Sequence, residues 1–149
     1  MTVKVRRAES NDAGAVAHVL ITSRRDSHPA VPASVHPDVE TRAWVREQLL
    51  AECQVWVATA DRAVVAVLVL RDAWVEQLYV LSEWSGRGIG GRLLELAKQQ
   101  SPHGLQLWTF VSNGAARAFY ERHGFTVVEQ TDGSGNEERV PDLRMVWRP

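Results

Sequence analysis

The chain has 149 residues, 45% apolar and 23% charged, with a formal net charge of −1 at neutral pH. That length suits a single domain (1–149) with a sizeable core, and the near-zero charge excludes a bulk electrostatic pull toward nucleic acid or an anionic membrane. The lone Cys53 excludes an internal disulfide, and the longest apolar run, AVVAVLVL (63–70), is too short to span a bilayer.

In chain order, VKVRRA (3–8) reads as a first strand. SND (10–12) then offers a helix cap before apolar residues at Ala13, Val16, Ala17, Leu20 and Ile21, so a first helix is expected to end near Ser23. SHPAVPASVHP (27–37), with three prolines, reads as an ordered loop. Asp38 to Ala51 reads as a second helix, with Val39, Ala43, Val45 and Leu49 as core candidates. QVWVATA (54–60), AVVAVLVL (63–70) and AWVEQLYV (73–80) read as three strands of an antiparallel meander. A third helix runs from about Gly90 to Gln100, followed by a strand, LQLWTFV (105–111). NGAARAFYERHG (113–124) reads as a fourth helix, capped by Asn113 and ended by Gly124. FTVVEQT (125–131) and LRMVW (143–147) are the last strands, joined by the loop TDGSGNEERVPD (131–142). The result is an α/β chain with a mixed sheet and helices on both faces. The six tryptophans are expected mostly in the core. The opening MTVKVRR has no apolar stretch of signal-peptide type, and with the lone cysteine this leads to a cytoplasmic expectation.

The segment EWSGRGIGGRLLELAKQQ (83–100) holds four glycines in six residues, directly before a helical pattern. Gly86-x-Gly88-x-x-Gly91 matches the dinucleotide fingerprint literally, but LSEWS separates it from its strand, and the next strand lacks a closing acid. Gly86 to Gly91 also has P-loop spacing, yet Arg92-Leu93 replaces the lysine and hydroxyl that triphosphate chemistry needs. What remains is common physics: glycines permit close approach, and a helix N-terminus presents free amides and partial positive charge to a pyrophosphate. Arg87 and Arg92 are candidates to add charge at the rim. A tight turn that merely starts a helix is the alternative.

A second motif follows one strand later: Asn113-x-x-Ala116-x-x-Phe119-Tyr120-x-x-x-Gly124-Phe125. Together with the loop Gly88-Ile89-Gly90, it resembles the GNAT superfamily of N-acetyltransferases. The resemblance spans essentially the whole chain and is most specific over 74–128. Ser85 stands where the family pattern has Gln or Arg. The resemblance implies an acyl-CoA N-acyltransferase-like fold, whose mostly antiparallel mixed sheet splays between strands 74–80 and 105–111. It implies acetyl-CoA as cosubstrate, with the pantetheine arm along Leu78, Tyr79 and Val80. The pyrophosphate would sit on Gly86, Arg87, Gly88, Ile89, Gly90 and Gly91, and Asn113 would touch the cofactor arm. A backbone N–H near Leu78 would take the acetyl carbonyl.

The implied reaction is direct attack of a neutral amine on the thioester. Tyr120 matches the family's general acid, its alternative being a buried aromatic packed on Phe119 and Phe125. No carboxylate lies in LQLWTFVS, so Glu76 is the nearest candidate base, acting through a water; alternatively it is a solvated strand carboxylate, or no base is used. Acceptor contacts are expected from the loops 27–37 and 131–142: His28, His36, Glu137 and Glu138, with Asp132 and Asp142 nearby. A carboxylate-lined mouth would suit a cationic amine, the alternative being a solvated acidic turn. Trp74 and Trp108, on the splaying strands, are candidates to line the pocket. No cluster has metal-ligand spacing, so no metal is expected, and Cys53 reads as a packing residue. Expected partners are acetyl-CoA and a primary amine of a small molecule or peptide, with no nucleic acid and no membrane, in a monomer or homodimer. The alternative function is a non-catalytic acyl-CoA sensor or partner module of the same fold.

Overall fold

The computed structural model describes residues 2–149. Seven strands form one sheet in the order β1-β2-β3-β4-β5-β7-β6. They are β1 (Val3–Arg7), β2 (Gln54–Ala60), β3 (Ala63–Arg71), β4 (Trp74–Val80), β5 (Leu105–Phe110), β6 (Thr126–Gln130) and β7 (Asp142–Trp147). Every neighbouring pair is antiparallel except β4 and β5. The expected meander over β2, β3 and β4 is present. Its first turn uses Asp61 and Arg62, both at positive φ (49° and 70°), the conformation that matches the twist of a two-residue hairpin.

Helices cover both faces. α1 (Ala13–Asp26) and α2 (Asp38–Trp44) share one side, while α3 (Ile89–Gln100) and α4 (Gly114–Arg122) share the other. The continuous apolar run of β3 is explained by this arrangement, since a strand buried on both faces needs no alternation. Val57, Val67 and Val69 pack against Val16, Val19, Val45 and Leu49 on the α1 side. Leu68 and Leu70 pack with Leu93, Leu94, Leu107, Phe125 and Met145 on the α3 side. Each fully buried leucine contributes roughly 1.5–3 kcal/mol of transfer free energy.

Several local expectations are corrected. α1 does not end near Ser23 but runs to Asp26, because Arg24 and Arg25 in its last turn complement the negative helix end. α2 continues through a π-helical stretch, Val45–Leu49, and a last turn, Leu50–Glu52. That extra residue per turn rotates the face, so Val45 and Leu49 are buried while Val39 is 73% exposed. Of the tryptophans, Trp44 and Trp108 are exposed and Trp56, Trp74, Trp84 and Trp147 only partly buried, so none belongs to the fully buried core. Cys53 is buried with the α1-side cluster, as a packing residue should be.

The fourth helix follows its reading closely. The Asn113 side chain accepts from Ala116 N–H at 3.2 Å. At the other end Gly124 takes φ +90°, and Phe125 N–H reaches Tyr120 O at 3.0 Å, closing a Schellman turn. This turn carries Phe125 into the core directly behind Tyr120.

Candidate active site

The parallel pair β4–β5 holds at one point only. Trp74 is the register partner of Gln106, and Gln106 N–H donates to Ala73 O at 2.9 Å. Beyond it β5 follows β7, pairing from Leu105↔Trp147 to Phe110↔Asp142, while β4 stays with β3. The two strands therefore part, and a cleft of about 210 Å³ opens between them.

A bulge decides which groups of β4 face that cleft. Val69 pairs with Gln77 but Leu70 with Val75, so Glu76 is an extra residue without a partner. Ala73 O points toward β5, whereas Leu81 N–H donates toward β3, to Val65 O at 2.9 Å. Both are odd-numbered, so the parity of the strand changes between them, at Glu76. After the bulge the even residues Leu78 and Val80 turn their backbone groups to the cleft, and Tyr79 turns its own to β3. Side chains obey the same switch: Val75, Leu78 and Val80 all belong to the α3-side core, and Tyr79 to the other.

The glycine loop lies past the end of β4. Gly86 and Gly88 have φ of +74° and +81°, and a Cβ on either would meet nothing within 4 Å. Here glycine is required by the backbone, and the space above it is open. Gly90 and Gly91 have another role. A Cβ on Gly90 would meet Phe119 at 3.4 Å and one on Gly91 would meet His123 at 3.1 Å, so these two let α3 approach α4. Arg92 N–H makes its helical bond to Gly88 O at 3.0 Å, which leaves the amides of Ile89, Gly90 and Gly91 as unpaired first-turn donors. The Ile89 side chain is buried, so only its backbone faces outward. Arg87 stacks 4.4 Å from the Trp84 ring centre beside the loop. Arg92 does not reach the rim as expected, because its guanidinium donates to Val3 O at 2.7 Å.

These features coincide with a recognised family pattern. The family model for the acetyltransferase (GNAT) domain matches residues 51–127. The chain belongs to the GNAT acetyltransferases. It is 27% identical over 144 residues to the peptidyl-lysine N-acetyltransferase YiaC of Escherichia coli strain K12, covering 96% of this chain and 95% of that protein. Among solved structures, apo YjaB from Escherichia coli superposes with a TM-score of 0.79 at 24% identity, covering 99% and 98% of the two chains. The PaiA N-acetyltransferase of Thermoplasma acidophilum, in complex with coenzyme A, gives 0.75 at 21% identity over 100% of both. The reaction of this GNAT enzyme is accordingly acetyl transfer from acetyl-CoA to an amine.

Tyr120 and Asn113 line the 210 Å³ cleft from α4, together with Glu76, Leu78 and Tyr79 from β4 and Trp108 from β5. The Tyr120 ring is held edge-on by Phe119 and Phe125, with centroids 5.2 and 5.5 Å away. Burial, and secondarily the neighbouring Tyr79, pushes the Tyr120 phenol well above its ordinary value. Tyr79 is raised too, chiefly by burial. Glu76 is exposed, and among the described residues no side chain pairs with its carboxylate. Trp74 does not line the cleft: it sits at the paired end, where the strands have not yet separated.

A second, larger cavity of about 820 Å³ adjoins the GNAT cleft on the α1–α2 side and shares Arg24, Gln77 and Tyr79 with it. His28, His36 and Glu137 line it, whereas Glu138 lines the smaller cleft. Glu137 and Glu138 line these spaces, but as paired rather than free carboxylates. Glu138 receives Arg24 at 2.8 Å, and Glu137 is bonded to His36 at 3.0 Å. Asp142 is buried and bonded to Thr131 and Asn136, and Asp132 caps Ser134 N–H at 2.9 Å. Arg24, Gln77 and Trp44 were missing from the sequence reading. Only Arg24 had a local signal, as a cation in a helix's last turn. Among the described residues no group of three or more His, Cys, Asp or Glu could hold a metal ion, and no helix is long and apolar enough to cross a membrane.

His36 ties the two loops together. Its Nδ1 faces Glu40 at 3.3 Å and its Nε2 faces Glu137 at 3.0 Å. Both contacts are hydrogen bonds only when both ring nitrogens carry protons. Glu137 first, then Glu40, holds the imidazole above its ordinary value. The folded value being raised, the contribution to stability is complete below the unfolded value near about 6.5 and fades as pH rises through the folded one. In an NMR titration His36 should turn over above about 6.5, and Glu137→Gln should move its midpoint back toward that value.

Proposed function

We propose that residues 1–149 act as one domain that acetylates a primary amine of a small molecule or peptide, with the acetyl-CoA arm in the β4–β5 cleft. The single observation that carries the reading is the freed edge of β4, where Leu78 and Val80 present backbone groups with no strand to pair. An extended amide-bearing arm satisfies such an edge as an added strand would. The pyrophosphate would rest over Gly86 and Gly88, on the amides of Ile89, Gly90 and Gly91, with Arg87 beside it. Asn113 spends its side-chain oxygen on the helix cap, which leaves its amide N–H groups for the arm.

Acetyl-CoA supplies an activated acyl thioester. The residues around it have to move two protons. Glu76 accepts a proton from the incoming ammonium, directly or through a water, and its position on the bulge projects it at the cleft. The amine then attacks the acyl carbon, the C–S bond breaks, and Tyr120 donates its proton to the departing sulfur. The new amide nitrogen gives up its second proton, which returns through solvent to the phenolate. A phenol raised by burial stays protonated at neutral pH, as this step requires. The Leu78 N–H is the candidate donor to the developing oxyanion. The similarity to a peptidyl-lysine acetyltransferase supports an amine acceptor. The near-neutral charge supports small-molecule or peptide chemistry over nucleic acid, and the lone buried Cys53 is in keeping with a cytoplasmic setting.

The assignment of Glu76 is tested by Glu76→Gln in a steady-state assay of free thiol release. Loss of turnover by about 10²-fold or more is expected, with acetyl-CoA affinity retained. Turnover within a few-fold of the wild type would mean that the amine arrives neutral and no base is used.

A further inference from the structure

We propose that the acceptor is a small monoamine carried on an apolar body, and that Trp44, with Leu20, Ile21 and Pro37, seats that body in the larger cavity. This deepens the functional reading above and rests on it. The size of the two spaces is the first argument. At about 210 Å³ the cleft has room for little beyond the reacting ends, whereas about 820 Å³ matches a small-molecule site. The cavities meet at Arg24, Gln77 and Tyr79, so an amine reaching Glu76 and Tyr120 leaves its body on the α1–α2 side.

Charge is the second argument. The ionic groups around the larger cavity already have partners: Arg24 with Glu138 at 2.8 Å, Arg25 with Asp38 at 2.8 Å, and His36 with Glu40 and Glu137. A polycation would have to displace these cations to find carboxylates, and taking Glu138 would strand the Arg24 charge, whose side chain is 23% exposed. Asp142 is held by the neutral Thr131 and Asn136. Among the described residues lining either space, Glu76 is therefore the carboxylate with neither an ionic nor a hydrogen-bonded side-chain partner, the one that an ammonium takes without displacing a bond.

Apolar surface is the third. Trp44 is 37% exposed, and it borders this cavity beside Leu20, Ile21 and Pro37. An indole left facing a cavity gains when an apolar group covers it, and an aromatic body would bury the most area there.

The test is steady-state acetylation of three probes, phenethylamine, ethylamine and spermidine, by the wild type, Trp44→Ala and Trp44→Phe. Phenethylamine should have a kcat/KM at least about tenfold above ethylamine, and spermidine should do no better than ethylamine. Trp44→Ala should raise the KM for phenethylamine about tenfold, leave ethylamine unchanged and leave acetyl-CoA affinity intact by calorimetry. Trp44→Phe should keep the preference, which separates a lost contact from a damaged fold. A preference for spermidine, or discrimination unchanged in Trp44→Ala, overturns the proposal. So does absence of turnover with all three probes, and acetyl-CoA binding in the same samples then shows whether the functional reading falls with it.

Discussion

Gly88→Glu should abolish acetyl-CoA binding while leaving a folded protein. Gly88 stands in the left-handed region at φ +81°, immediately before α3. A side chain there costs about 1–2 kcal/mol of backbone strain. The fold tolerates it, because a Cβ would meet nothing within 4 Å and the loop is exposed. Binding does not, because the new carboxylate stands where the first-turn amides of α3 would meet a pyrophosphate, and like charges repel. Calorimetry with acetyl-CoA should show affinity reduced by about 100-fold or more, against a melting temperature only a few degrees lower. Gly88→Ala isolates the strain and should lose far less affinity. Tight binding retained in Gly88→Glu would sink the assignment of this loop to the cofactor.

Tyr120→Phe should separate chemistry from binding. The ring packs between Phe119 and Phe125, and phenylalanine keeps both contacts. The hydroxyl lies at the cleft rather than in a bond within the core, so its removal leaves the fold nearly as stable. What disappears is the proton for the departing sulfur. A thiol of the cysteine type has a pKa near about 8.5, so at neutral pH the departing sulfur ends up protonated, and an acid placed to supply that proton eases its departure. Turnover should fall by about 10²-fold or more, with acetyl-CoA affinity within about tenfold of the wild type. In the wild type, because burial raises the phenol, no alkaline loss of rate from tyrosine ionisation should appear below about pH 10. Unchanged turnover in Tyr120→Phe would remove Tyr120 from the proton path and assign the acid to another group.

Both variants were nameable before any coordinates, since the residues involved belong to local patterns. A glycine forced to positive φ, a cap such as Asn113 and a Schellman turn such as Tyr120–Phe125 are decided within a few residues. Element type was legible for the same reason: the apolar run of β3 and the helical spacing of α3 describe what each segment buries. The sequence was less informative where a local pattern admits two causes. Four clustered glycines read as one cradle, yet Gly86 and Gly88 shape the loop while Gly90 and Gly91 make room for Phe119 and His123. Acidic residues in a loop read as an open mouth, yet their partners come from remote elements.

The linear chain alone carries the family resemblance and, through it, the donor, together with the order of the elements and the candidate residues of the glycine loop. The arrangement of the proposed acceptor side came from tertiary contacts. Glu138 meets Arg24 across 114 positions and Glu137 meets His36 across 101, and neither pairing leaves a trace in local composition. The inserted residue at Glu76 exchanges the edges of β4, which no alternation of apolar residues can reveal, because the bulge exists only relative to β3. Trp44 reads in sequence as one more core aromatic. It borders the larger cavity because its helix turns through the π-helical stretch and packs beside α1, and such a placement depends on the whole fold.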